Sequence, residues 1–206
     1  MKSKLILFTV LPAFLFFACN NGNDKDNGEN AQENTQTEET VAEDETEEEV
    51  IETFVSEKYG FSVDFLEVPI EQEEEVPTMA GTLKMMTYMH DAGSQVYFVA
   101  ISKMPEELMA DADVEEMLEG GIDGMLEQFS EVEILKREKI TSGDIPGRII
   151  EATGTTSGTK VYNKAHIFMK DNSLYQIYVL GEAAKTDKDK IEAFLNSFSF
   201  LETEEK

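Results

Sequence analysis

Apolar and polar positions alternate with two different periods along this chain, and the change of period marks out the elements. In "FSVDFL" (61–66), Phe61, Val63 and Phe65 fall on one side of an extended segment. "LKMMTYMH" (83–90) and "QVYFVAIS" (95–102) are rich in strand formers. The short Asp91-Ala92-Gly93-Ser94 stretch between them predicts a hairpin. "EVEILKREKI" (131–140) reads as a strand. "GRIIEATGTT" (147–156), "KVYNKAHIFMK" (160–170) and "SLYQIYVL" (173–180) read as an antiparallel meander turning at Ser157-Gly158 and Asp171-Asn172, pairs that accept positive φ. In "DVEEMLEGGIDGMLEQF" (113–129) the apolar residues recur at helical spacing, with Asp113 placed to cap and Glu116 three positions later. Three glycines lower its propensity, so packing must hold it. "TDKDKIEAFLNSF" (186–198) predicts a second helix with Ile191, Phe194, Leu195 and Phe198 on its face, and "SFSFLE" (197–202) a closing strand. Many strands with two helices predict an α+β domain, an antiparallel β-sheet packed against two or more helices.

The first nineteen residues follow another pattern. Lys2 and Lys4 precede a 14-residue apolar run, Leu5 to Ala18, too short to span a bilayer comfortably and interrupted by Pro12. It ends at Cys19, the chain's only cysteine. That count excludes an intramolecular disulfide and a cysteine-based metal framework. Positive start, apolar run and a polar continuation read as an export signal. Residues 20–52 carry thirteen acids against one base, with no aromatic residue, so this segment cannot bury enough apolar surface to offset its ordering entropy. Its 33 residues predict a disordered tether averaging ~30 Å end to end and stretched further by self-repulsion. "DKDNGEN" resembles a calcium loop only superficially. With Gly28 as its glycine, the first and third ligand positions become Asn23 and Lys25.

The chain of 206 residues therefore divides into a signal peptide (1–18), a modified Cys19 with its acidic tether (19–53), one folded domain (54–203) and a short tail (204–206). A composition of 41% hydrophobic residues supports a core, and the net charge of −26 argues against nucleic acid and against electrostatic binding to an anionic membrane.

The stretch Phe16-Phe17-Ala18-Cys19 resembles the end of a bacterial lipoprotein signal peptide. The resemblance implies cleavage before Cys19, acylation of its sulfur (palmitate or a similar chain) and, from Asn20 at the next position, sorting to the outer membrane of a two-membrane cell. Two or three acyl chains anchor a protein durably where one does not. Farther on, "YGFSVDF" with Pro69, then a hairpin and a helix, then "GDIPGR" before the meander and "FLNSFSF" near the end, resemble the Mog1/PsbP-like group. The matching residues are Gly60, Phe61, Pro69, Gly143, Pro146, Gly147, Phe194, Ser197 and Phe198, over roughly 55–202; the group's Trp after the first Pro has no counterpart. That resemblance implies a binding or assembly protein of the envelope rather than an enzyme, and carries over no catalytic residue.

The residues agree on chemistry. There is no nucleophile elbow, P-loop or dinucleotide fingerprint. His90 and His166 are far apart in sequence and form no metal signature, so neither cofactor nor metal is expected. The acidic runs "EQEEEV" (71–76) and 106–116 read as solvated loops and helix starts. Met85 and Met89 share a strand face with Leu83 and Thr87, while Met86 shares the other with Tyr88; if both faces are apolar, helices cover one and the other is free to dock a partner. Ala165 and Ile167 are the expected inward set of their strand. This leaves Tyr162, His166, Phe168, Tyr175 and Ile177 as the expected outward face and candidate partner surface. The resulting expectation is a lipid-anchored, non-catalytic module binding other envelope proteins. Its rivals are a small-ligand or cation-binding lipoprotein, an unrecognised hydrolase, and a stress-related protein without a partner.

Overall fold

Ser157 and Gly158 adopt φ of 49° and 80°, the left-handed pair that a two-residue hairpin turn demands, and they reverse the chain between two adjacent strands of its largest sheet. The structure is a computed structural model describing residues 53–78, 81–110 and 112–202. The signal segment, Cys19, the tether through residue 52 and the tail beyond 202 lie outside the described residues.

Seven antiparallel strands form that sheet: β3 (Ile70–Thr78), β4 (Gly81–Asp91), β5 (Gln95–Lys103), β6 (Ser130–Ser142), β7 (Ile145–Thr156), β8 (Thr159–Lys170) and β9 (Ser173–Glu182). Their order is β3-β4-β5-β9-β8-β7-β6, so β3 and β6 are its edges. A second sheet joins β1 (Thr53–Ser56), β2 (Phe61–Asp64) and β10 (Ser199–Phe200) in the order β1-β2-β10. The helices are α1 (Glu106–Met109), α2 (Val114–Leu126) and α3 (Lys188–Ser197). Asp113 caps α2 by accepting from the Glu115 and Glu116 amides at 2.7 and 3.4 Å. Asp187 caps α3 likewise, from Asp189 and Lys190 at 3.1 and 3.2 Å.

Both faces of the seven-stranded sheet are buried. One core joins Phe61 and Val63 of the small sheet, Phe65 just after β2, and Ile191, Phe194 and Leu195 of α3 to Tyr97, Val99, Ile177 and Val179 of the large sheet. The other joins Leu118, Ile122 and Met125 of α2 to Ile150, Ala165 and Ile167. Strand β8 feeds both, Tyr162 and Phe168 turning to the α3 side while Val161, Ala165, Ile167 and Met169 turn to the α2 side.

The 91–94 hairpin and the three-strand meander form as the pattern predicts, although of Asp171 and Asn172 only Asp171 takes a positive φ. Three expectations need correction. The acidic run 71–76 is not a loop: it pairs along its length with β4, Glu73 opposite Met86 and Glu75 opposite Lys84. As an exposed edge strand it has no apolar face to betray its period, and its charges discourage edge-to-edge pairing. The helices are shorter at both ends than the 113–129 and 186–198 ranges. The closing strand shrinks to Ser199–Phe200 and joins the small sheet, opposite Ser62 and Phe61.

Candidate functional site

The residues expected to form a partner surface point into the α3-side core. Tyr162, Phe168, Tyr175 and Ile177 are buried, and His166 is only partly exposed. Their alternation was read correctly, but the face they share is covered: Tyr175 donates to the Tyr59 carbonyl at 3.0 Å, Phe168 stacks on Phe198, and Ile177 lies in the core beneath α3. These side chains are therefore corrected from a docking surface to packing.

Around them, β7, β8 and α3 assemble a polar cluster. Lys164, itself buried, forms an ion pair with Glu192 of α3. Lys188 of α3 reaches Glu151 of β7 at 3.5 Å and lies 4.6 Å above the Tyr162 ring. Burial, and then the neighbouring Glu151 carboxylate, raise the Tyr162 phenol. Burial, and then the Lys164 ammonium, lower His166 to about 4, so its imidazole is neutral at ordinary pH. Lysine, glutamate and phenol thus answer one another across the α3–sheet junction, and the cluster clamps α3 to the sheet.

A second polar cluster does the same for α2. Arg148 of β7 donates through Nε to Glu119 at 2.7 Å and pairs with Glu115. Arg137 of β6 reaches Glu119 through Nε at 2.8 Å and Asp123 at 3.2 Å, and Lys139 pairs with Glu115. Among the described residues no group of three or more His, Cys, Asp or Glu could hold a metal ion, and no helix is long and apolar enough to cross a membrane.

Apolar side chains are exposed at Val55, at Val68 and Ile70 where β3 begins, and as a run of three on the β6 edge. Val132, Ile134 and Leu135 are exposed, the last two by 47% and 48%. Strand β6 is bulged twice against β7, between Ser130 and Glu133 and between Ile134 and Lys136. Leu135 is the extra residue of the second bulge, because Ile134 faces Ala152 and Lys136 faces Glu151. Sequence carried the signal: two adjacent apolar residues in "EILK" break a period of two, where a regular half-buried strand would alternate.

No family model and no curated protein matches the chain. Solved structures do. The solution structure of cyanobacterial PsbP (CyanoP) from Synechocystis sp. PCC 6803 superimposes with a TM-score of 0.50 at 11% identity, over 73% of this chain and 92% of that one. LpqN, involved in cell envelope biogenesis of Mycobacterium tuberculosis, aligns with a TM-score of 0.43 at 10% identity, over 66% and 87%. The LpqN likeness is too distant to bear on function. The first defines the architecture: this chain has a PsbP-like α+β fold.

Proposed function

We propose that this protein is a lipid-anchored module of the cell envelope that binds other envelope proteins and catalyses no reaction. Cys19 holds it to the outer membrane, and the acidic segment to residue 52 lets the domain reach its partner. The observation that carries the binding role is the β6 edge, where Val132, Ile134 and Leu135 stand exposed on a strand that is bulged on both sides of the Ile134–Ala152 pair. Exposed apolar groups at the centre of a contact supply most of its affinity, and a neighbouring polar rim, here Lys136, Arg137 and Lys139, aligns it. The Ala18-Cys19 junction and the charged stretch after it support the anchor. Tethering raises effective concentration at the membrane while leaving orientation free.

The test places a photo-crosslinking amino acid at Leu135 of the full chain in cells, with Lys190 on α3 as the control position, each with and without Cys19→Ala. One envelope protein captured from Leu135, absent from Lys190 and lost with the anchor, is the expected result. Equal capture from both positions overturns the β6 reading. Capture that persists with Cys19→Ala overturns the anchor.

A further inference from the structure

The core beneath α2 stops short of one side of the sheet. By register Ile70 of β3, Met89 of β4, Phe98 of β5, Tyr178 of β9 and Ala165 of β8 lie opposite one another in turn, so their side chains share one face. Ala165 and Tyr178 belong to the packing under α2, which sits on β7 and β8. Among the described residues, Ile70, Met85, Met89 and Val96 join neither core. Ile70 is 65% exposed, and Met85, Met89 and Val96 are half-buried. Strands lie about 4.8 Å apart, so this sheet spans roughly 29 Å, whereas a helix with its side chains is about 10–12 Å across. One helix over β7 and β8 therefore leaves a second helix width over β3, β4 and β5.

The floor of that strip fits the apolar stripe of a helix. Tyr178 and Phe98 stack at 4.5 Å and 10°, a flat aromatic pair that carries the row from α2 toward Met89. Met85 and Met89 lie on the same face of β4 with Thr87 between them, and unbranched thioethers adapt to the contour of a partner. The charges of the strip have one sign. Of the β3, β4 and β5 side chains on this face, only Glu74 and Asp91 are charged, while Lys84 and Lys103 point to the other face, opposite each other. A second copy would set these carboxylates, and a net charge of −26, against their like. An anionic lipid surface would meet the same repulsion. The complementary occupant carries lysine or arginine on either side of an apolar stripe.

We infer that the α2 side of β3, β4 and β5 is a docking strip for a cationic amphipathic helix of a protein partner. That helix lies alongside α2, with its apolar stripe on Ile70, Met85 and Met89 and its basic flanks toward Glu74 and Asp91. The strip is at the opposite edge of the sheet from β6 and does not depend on the contact proposed there.

The probe is a synthetic amphipathic leucine–lysine helix of about 18 residues, titrated calorimetrically into the full-length protein, with a leucine–glutamate helix of the same pattern as control. Saturable one-to-one binding of the lysine helix, and none of the glutamate helix, is expected. Ile70→Lys places a cation on the strip at an exposed position and is expected to weaken binding about tenfold or more. Leu135→Lys makes the same change of charge at the β6 edge and is expected to leave the affinity as it was. Should Ile70→Lys not melt cooperatively, a lysine helix carrying benzoylphenylalanine in its leucine stripe decides the matter on the natural chain, with adducts expected at Met85 or Met89. Binding of both helices, equal losses in the two variants, or adducts only outside the strip overturns the inference. Association of the natural chain that Ile70→Lys abolishes would give the strip to a second copy instead.

Discussion

Arg148 of β7 and Glu119 of α2 meet at 2.7 Å, and the arginine side chain is only 3% exposed while the glutamate is 39% exposed. A guanidinium on a strand is thereby satisfied by a helix laid over it, with Glu115 completing the pair and the Gly147 carbonyl accepting from Nη1 at 2.9 Å. Arg148→Ala strands two carboxylates, yet both can rehydrate. The expected loss is about 3 kcal/mol, the low end of what breaking a buried pair costs. Arg148→Met, which fills the space without the charge, is expected to lose less. Urea unfolding of the two variants checks the order.

Acid should weaken the fold in two successive, overlapping windows. His166 has its pKa lowered to about 4 by burial and by Lys164, against 6.5 when unfolded. Between those values the unfolded chain holds a proton that the folded chain refuses, so stability is complete above pH 6.5 and falls as pH drops toward 4. The loss is on the order of 3 kcal/mol. Glu115 and Glu119 are held below the usual 4.5 as a pair of carboxylates facing Arg148, Lys139 and Arg137. Their contribution is present above the unfolded value of 4.5 and disappears as pH falls through the lowered one, a window that opens near the acid end of the His166 window and extends below it. His166→Gln should abolish the dependence between pH 6.5 and 4.5 and leave the lower one. A slope that survives this substitution would place the titrating group elsewhere.

The strand pattern was legible from local chemistry: the Ser157-Gly158 turn, the hairpin at Gly93 and both aspartate caps lie where their residue types say. Sidedness was not. A period of two states which residues share a face, but it names the inner face only when the other face is polar. In β8 the supposed outward set holds Tyr162 and Phe168 beside Lys164 and His166, and both sides of the sheet turn out to be covered. The charge of Lys164 concealed a buried position because its partner, Glu192, lies 28 residues away on another element. Edge strand β3 escaped because an acidic exposed strand and an acidic loop have the same composition. Asn163, buried in the middle of β8, gave no signal at all, since a mid-strand Asn reads as a weak strand former and only the packed neighbours show that neither atom of its amide is paired.

Gly147 is expected to tolerate no side chain. A Cβ built there lies 2.6 Å from the Ile167 carbonyl oxygen and 2.5 Å from Cδ1 of Phe168. The ring is a side chain with rotational freedom, but the carbonyl belongs to the neighbouring strand and is fixed by the ladder. Gly147→Ala should therefore cost about 2 kcal/mol through overpacking, with strand displacement at the β7–β8 pair. Gly120 is the contrast, with nothing within 4 Å of its added Cβ. Gly120→Ala should stabilise α2 by up to about 1 kcal/mol through helix propensity. Chemical denaturation of both variants gives opposite signs if the packing account is right.

The bulge at Leu135 should control self-association. As an extra residue it breaks the regular ladder at the β6 edge, and bulges of this kind keep an edge from templating further strands. Deleting Leu135 leaves Ile134 opposite Ala152 and Lys136 opposite Glu151 with no irregularity between them, so the edge becomes straighter and longer while Val132 and Ile134 stay on it. The deletion variant is expected to form dimers and larger species, at concentrations where the natural chain gives a single lower mass by light scattering behind size-exclusion chromatography. Leu135→Asp, which keeps the bulge and adds a charge, is expected to behave as the natural chain. Equal masses for the natural chain and the deletion variant would mean that the net charge of −26, rather than the bulge, keeps the edges apart; high salt, which screens that charge, would then bring both chains to associate.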